Sequence, residues 1–480
     1  MESVNQRIVR GVLAVGWASA TVKILGLADQ IVITRTFGTG PSMDALNAAW
    51  ALPLLLSLVF ATTIETTLVP IYIRARQSGE PEAADRVLSS LINLCALLFG
   101  SMSVLGAVFA PALVRVSAPG LHGERLEIAV ALAGFLYPIV TAHVLACLIM
   151  GALSARKAFS VPALVNGAVP VTILLAVILL GSRFGIVALA AGQLVGFLIQ
   201  LAIFVAVARR VGVRYHFVID LRSEQLRDAG RQSVIVLAGS MLAQVNVFVD
   251  QVVASTLPPG GLSSLNYALK LMDLPVVVVF GAFARSALPH FSEQVAVGDW
   301  LGLRSSVRLV TWLMLAVTLP MTLGAILLAR PVIGLLFQRG NFTALDTAAV
   351  ATVFTAAVVG AAPLGLSYVI ARVFNAMQRN WYLTVVTVSG IGLNAALDLA
   401  LAPRWGAAGI ALSTSTVSAA AVVLQLALLG RLPGGFNALG IPVQGQMLWR
   451  RIVRELGAEP ARPDRVVASP PASPPTGGKV

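Results

Sequence analysis

The sequence predicts an all-α integral membrane protein of about twelve transmembrane helices in two pseudo-symmetric six-helix lobes. Three observations carry that expectation. Of 480 residues, 57% are hydrophobic and only 11% charged, against about 25% charged in a soluble globule. Apolar runs of about 20 residues, enough for a helix to span a hydrocarbon core, recur between short polar turns. The basic residues alternate from turn to turn: eighteen lie in the N-terminal stretch and after even-numbered runs, seven after odd-numbered ones. This bias places both termini in the cytoplasm. It also accounts for the net charge of +13 without a nucleic-acid partner.

The first run covers 9–36. Ala18-Ser19-Ala20 has the look of a cleavage site, but the apolar run continues past it, so the segment reads as a retained spanning helix. Runs at 42–73, 84–114, 126–152, 159–182 and 184–208 complete an N-terminal lobe, 1–212. Residues 213–231 are polar and basic. Phe217, Leu221 and Gln225 could share one face of a short helix on the inner leaflet, or the segment is a solvated linker between lobes. The second lobe, 232–430, holds runs at 232–256, 261–288, 305–337, 345–375, 380–402 and 406–430. Beyond Gly430 the chain turns rich in Pro, Gly and Arg. Residues 431–480 read as a cytoplasmic tail, disordered from about 457, with Trp449, Arg450, Arg451 and Arg454 placed to meet anionic headgroups.

The two lobes echo each other at an offset of about 220 residues. Met43-Asp-Ala-Leu-Asn-Ala-Ala-Trp-Ala-Leu-Pro53 parallels Leu265-Asn-Tyr-Ala-Leu-Lys-Leu-Met-Asp-Leu-Pro275, and Gly185-Ile-Val-Ala-Leu-Ala parallels Gly406-Ala-Ala-Gly-Ile-Ala. With six helices per half, the repeats run parallel. Transporters of this build bind cargo between the halves and rock around it.

Polar residues inside the runs mark candidate sites. A lone ammonium at the centre of a membrane helix costs roughly 2.5–3.5 kcal/mol, so Lys23 and Lys270 are expected to face water or an anion. Lys23 and Gln30 share a face of the first helix, while Asp29 is turned about 120° away. Asp44 opens the second helix and Glu65 lies further in. On the eighth helix Asn266, Lys270 and Asp273 form one stripe at i, i+4 and i+7. The stripe reads as a cavity wall with cationic points for a phosphate; the alternative is a Lys270–Asp273 pair that neutralises itself inside the bundle. A second group joins Asp250, with Gln244 and Asn246 before it, to Asn394, Asp398 and the run Ser413-Thr-Ser-Thr416. These hard oxygen donors suit an alkali or alkaline-earth cation or a proton; interhelical hydrogen bonding is the alternative.

No enzyme pattern is present: no P-loop, no zinc spacing, no nucleophile elbow. Cys95 and Cys147 lie within apolar runs without ligand spacing, and His122, His143, His216 and His290 are scattered.

The segments Lys23-Ile-Leu-Gly-Leu-Ala, Phe37-Gly-Thr-Gly, Asp44-Ala, Leu52-Pro53 and Val69-Pro70 resemble the opening of the MviN/MurJ-like flippases. So do Val249-Asp-Gln-Val-Val-Ala-Ser-Thr-Leu, Leu265-Asn-Tyr-Ala-Leu-Lys-Leu, Leu336-Phe-Gln-Arg-Gly-Asn-Phe-Thr343 and Ala371-Arg-Val-Phe-Asn-Ala376. The resemblance covers 9 to about 430. It implies a fold of the multidrug/oligosaccharidyl-lipid/polysaccharide exporter type and outward flipping of an undecaprenyl-diphosphate-linked saccharide, either lipid II or a related polysaccharide repeat unit. It further implies cavity cations at Lys23 and Lys270, Asp44 at a family aspartate, and a sodium site at Asp250, Asn394, Asp398, Thr414 and the carbonyl of Ile410. Two further family arginines fall here on Asp29 and Ser57. The resulting expectation is a transporter in the bacterial cytoplasmic membrane. Its partners would be the lipid-linked cargo, membrane lipids and cell-wall or polysaccharide synthesis proteins, and sodium is the candidate coupling ion. A cation-coupled multidrug exporter of the same superfamily is the rival, and a membrane scaffold docking through its basic tail is the non-transport alternative.

Overall fold

The computed structural model describes residues 4–77, 81–156, 164–220 and 224–430. The tail 431–480, with its tryptophan, its arginines and its expected disorder, lies outside the described residues. Within them the regular elements are helices: α1 (Val4–Phe37), α2 (Pro41–Thr63), a π-helical turn (Ile64–Leu68), α3 (Val69–Gln77), α4 (Pro81–Val108), α5 (Ala110–Ser117), α6 (Glu124–Ala155), α7 (Ala168–Phe184), α8 (Ile186–Arg210), α9 (Glu224–Ala254), α10 (Gly261–Ala296), α11 (Trp300–Phe337), α12 (Ala344–Val358), α13 (Ala361–Ala376) and α14 (Trp381–Leu429).

The twelve expected spans are all recognisable, several with breaks. Span two runs through α2, the π turn and α3. Pro70 has no N–H to give, and just before it the ladder slips by one residue, so Val69 N–H bonds the carbonyl of Ile64. Span three breaks at Phe109, where Pro111 sits in the first turn of α5. Span ten is α12 followed by α13. Gly360 lies at their junction because a Cβ there would stand 2.7 Å from Ser415 Oγ. Ser415 uses the close approach to donate to the carbonyl of Ala356 at 2.7 Å. Spans eleven and twelve, together labelled α14, are two helices joined at Gly406, whose non-helical φ 57° and ψ −139° turn the chain back. Gly185, between α7 and α8, has φ 56° and ψ −136°. That region is open essentially to glycine alone. Gly123, before α6, has the same φ and ψ, so the conformation is a recurrent helix-start turn, and Gly185 and Gly406 are the two instances that fall at matched positions of the sequence repeat.

Each half has its own apolar core. Leu148, Phe99 and Ile71 anchor one in the N-terminal half; Phe291, Met314 and Phe374 anchor another in the C-terminal half. A third and larger core crosses between halves: Met43, Leu46 and Leu132 pack with Leu265, Tyr267, Phe337 and Phe342. This shared core lies at the end where the α1–α2, α9–α10 and α11–α12 turns meet, called here the clasped end. Large apolar side chains such as Leu97, Leu105, Leu179 and Leu327 are exposed on the outer faces of α4, α7 and α11, as lipid-facing surfaces require.

The segment before α9 differs from the short helix considered from the sequence. Residues 213–220 have no regular secondary structure and are strapped to α4. Arg214 N–H donates to Asp85 Oδ2 at 2.9 Å, His216 N–H to Ser89 Oγ at 3.0 Å and Asp220 N–H to Ser90 Oγ at 3.2 Å. Asn93 Nδ2 donates to the carbonyl of Val218 at 3.0 Å. A polar stripe on α4 thus supplies the partners that a helix would have found internally. Leu221 lies outside the described residues, and the following chain is already the start of α9. Asp85 is itself held by Arg156 at 2.9 Å and by Tyr72 at 3.1 Å.

Candidate cargo cavity and ion site

Lys23 and Gln30 are carried by α1, and Lys270 and Asp273 by α10, so the four residues come from opposite halves. Lys270 Nζ donates to Gln30 Oε1 at 3.0 Å. Gln30 is buried and its Nε2 has no partner, which leaves one donor of a buried amide unused beside an ammonium. Lys23 and Lys270 are both accessible. Asp29 lies within Coulombic range of Lys270, and Asp273 within range of both lysines. Among the described residues neither ammonium makes an ion pair within 4.0 Å. The self-neutralised Lys270–Asp273 pair is therefore not formed at contact distance. The carboxylates temper the cations at a distance and leave their donors available.

The other two residues expected in the cavity are engaged elsewhere. Asn266 exchanges two hydrogen bonds with Gln251 of α9, at 3.0 and 3.2 Å, and ties two C-terminal helices together. Asp44 is buried in the clasped end. Its Oδ2 accepts from Gly260 N–H at 2.6 Å and its Oδ1 from Ser263 N–H at 2.8 Å, with Arg125 at 3.9 Å. A carboxylate from the N-terminal half thus caps the N-terminus of α10 in the C-terminal half, where free N–H groups and the helix dipole favour negative charge. Neighbouring contacts cross between halves as well. Tyr267 donates to the carbonyl of Gly38 at 2.9 Å, Asn341 Nδ2 to that of Thr36 at 2.6 Å, and Thr39 to the carboxylate of Asp346. Glu65 stands exposed on the π turn.

The second group converges. Asn394 Nδ2 donates to Asp250 Oδ1 at 2.6 Å and to Asp398 Oδ2 at 3.1 Å. Thr414 Oγ1 lies 3.2 Å from both Asp250 Oδ2 and the carbonyl of Ile410. Asp250, Asn394 and Asp398 are all buried, and Asp398 Oδ1 has no partner. Two buried carboxylates sharing one amide donor are short of positive charge, which a proton or a small hard cation would supply. Ser413, which the sequence showed only as part of a hydroxyl run, lies 3.3 Å from the Asn394 carbonyl and 3.4 Å from its Oδ1. Its hydroxyl steadies the amide with Nδ2 toward the carboxylates.

A twelve-span helical bundle of two repeated halves, clasped at one end and bridged further along by the Lys270–Gln30 bond, defines the transporter class of membrane protein. The family model described as lipid II flippase MurJ matches residues 33–448; the chain belongs to this family, whose members are transporters rather than catalysts. A probable lipid II flippase MurJ of Rickettsia prowazekii is 22% identical over 412 residues, covering 85% of this chain and 81% of the relative. Among solved structures, a lipid II flippase MurJ in an inward closed conformation aligns with a TM-score of 0.75 at 22% identity, covering 93% of this chain and 94% of the other. An inward-facing multidrug resistance MATE family transporter of the MOP superfamily aligns with a TM-score of 0.71 at 16% identity, covering 91% and 96%. Both share this fold.

Proposed function

We propose that the chain flips lipid II, an undecaprenyl-diphosphate-linked saccharide, from the inner to the outer leaflet of the bacterial cytoplasmic membrane by alternating access. The observation that carries this reading is the Lys270–Gln30 hydrogen bond between opposite halves, with Lys23 on the same helix as Gln30, Asp273 in Coulombic range of both lysines, and the buried amide still holding a spare donor. A diphosphate would draw both halves onto itself, since ammonium groups and amide N–H all donate to phosphate oxygen. The family membership supports the cargo, and the basic-residue bias supports an outward clasped end with both termini inside. In this state cargo enters from the cytoplasm. Rocking requires the Asp44 clasp to part and the Lys270–Gln30 bond to break.

The pocket of Asp250, Asn394, Asp398, Thr414 and the Ile410 carbonyl is assigned to sodium. Those residues would hold the ion, and the ion would supply the missing positive charge. Ion entry down its gradient is then a source of free energy for resetting, as each unit charge crossing is worth about 2.3 kcal/mol per 100 mV.

Growth of a strain depleted of its lipid II flippase tests the cargo. Rescue by this chain supports lipid II. Failure of a well-expressed, membrane-inserted chain to rescue rejects it. The second reading, an exopolysaccharide or capsule repeat unit on the same diphosphate anchor, is favoured by Ser57, which stands buried where the family resemblance puts an arginine.

A further inference from the structure

We propose that an open cleft between α11, α12 and α14 binds an anionic glycerophospholipid of the leaflet at the clasped end, with the phosphate on Arg330 and an acyl chain along the cleft. The cleft encloses about 680 Å³, and its walls include Ile326, Ala351, Ala356 and Leu412. No carboxylate lines it. Along α12 and its C-cap it reaches from Ala348 to Val359, about 16 Å at 1.5 Å per residue, a length suited to much of an acyl chain.

Arg330 and Trp405 share this lining and stand toward the clasped end, Arg330 two turns before the close of α11 and Trp405 beside the Gly406 turn. Arg330 is exposed, and among the described residues it has no hydrogen-bonding or ionic partner. An unneutralised guanidinium at a membrane-facing position is costly unless an anion meets it. Its planar fork matches phosphate oxygens, and an indole beside it suits the headgroup boundary. Arg404, next to Trp405 and also exposed, adds a second positive charge near the mouth. By the sequence bias, both arginines belong to the side of the membrane that carries only seven basic residues.

The occupant is a bilayer lipid rather than the transported cargo. Apart from Val359, just past α12, and Trp405, in the bend of α14, the lining residues come from the helical stretches of α11, α12 and α14, whereas Lys23 and Lys270 stand on α1 and α10. The proposal is independent of the cargo assignment and of which face of the membrane is outward.

The test reconstitutes the whole protein in vesicles containing phosphatidylglycerol or phosphatidylcholine with brominated acyl chains, and reads tryptophan quenching. The Trp405 component is the part lost in Trp405→Phe, which separates it from the other six tryptophans among the seven present. Brominated phosphatidylglycerol should quench that component at about fivefold lower mole fraction than brominated phosphatidylcholine. Arg330→Gln should abolish the preference, and Ala348→Phe, which fills the cleft and keeps the charge, should weaken quenching by both. Equal quenching by the two lipids in the wild-type chain would mean incidental solvation of an apolar wall and overturn the proposal. So would an undiminished preference in Arg330→Gln, or unchanged quenching in Ala348→Phe.

Discussion

Lys270 and Gln30 meet at 3.0 Å across the boundary between the two halves, so one hydrogen bond joins a cation of α10 to α1, the helix that the proposed rocking would carry away from it. The bond gives Lys270 a neutral acceptor, and under the proposed function a diphosphate would offer a stronger one in exchange. Lys270→Ala is expected to abolish flipping in a depleted strain while the protein still accumulates in the membrane. Lys270→Arg should retain activity. Gln30→Leu, which takes away only the neutral partner, should slow flipping by about tenfold. Normal growth of the Lys270→Ala strain would remove the cavity model.

Asp44 holds Gly260 and Ser263 by charge-assisted bonds at a helix N-terminus. Such bonds are individually worth about 1.5–3 kcal/mol. Asp44→Ala should therefore shift the population toward opening at the clasped end by about tenfold or more. Spin labels at Pro41 and at the exposed Leu345 would report a longer distance in the variant. An unchanged distance distribution would mean that Tyr267, Asn341 and Thr39 close that end without Asp44.

The spans and the repeat were legible in the sequence because they depend on composition and on glycine, properties each segment carries alone. Gly185 and Gly406 could be matched by eye, and their shared φ and ψ explain why. The convergence of Asp250, Asn394, Asp398 and Thr414 was legible in large part because Asn394 and Asp398 sit one turn apart on one helix. What stayed hidden depends on how one helix is rotated against another. Asn266 shares a stripe with Lys270, yet its amide is taken up by Gln251 of α9. Asp44 reads equally well as a cavity acid or a helix cap until α10 is placed beside it. The strap at 213–220 looks helical in periodicity, but its backbone partners Asp85, Ser89 and Ser90 lie far away in the chain. Ser413 was visible only as one hydroxyl among four.

Asp250 and Asp398 share a single amide donor in a buried setting, so a bound cation should stabilise the folded protein by mass action. Sodium well above its dissociation constant is expected to raise Tm by about 5 °C relative to choline at equal ionic strength. Asp398→Asn removes one negative charge and with it the demand for the ion; its Tm should be the same in both salts. A sodium-insensitive wild-type chain would mean that sodium is not what neutralises the pair.

Gly406 offers a test of the repeat that does not involve transport. A Cβ added there meets nothing within 4 Å, so any loss on substitution comes from the backbone conformation alone. Holding alanine at φ 57° and ψ −139° should cost about 1–3 kcal/mol, and Gly185→Ala should cost a similar amount for the same reason. Gly392 is the control. It lies in the regular part of α14, also with nothing within 4 Å of an added Cβ, and alanine there should be neutral or stabilising by about 0.5–1 kcal/mol. Thermal melts of the three single variants in detergent would separate the two classes. Equal behaviour of Gly406→Ala and Gly392→Ala would mean that the turn relaxes to an ordinary conformation, and that the matched glycines are not what shapes the two halves alike.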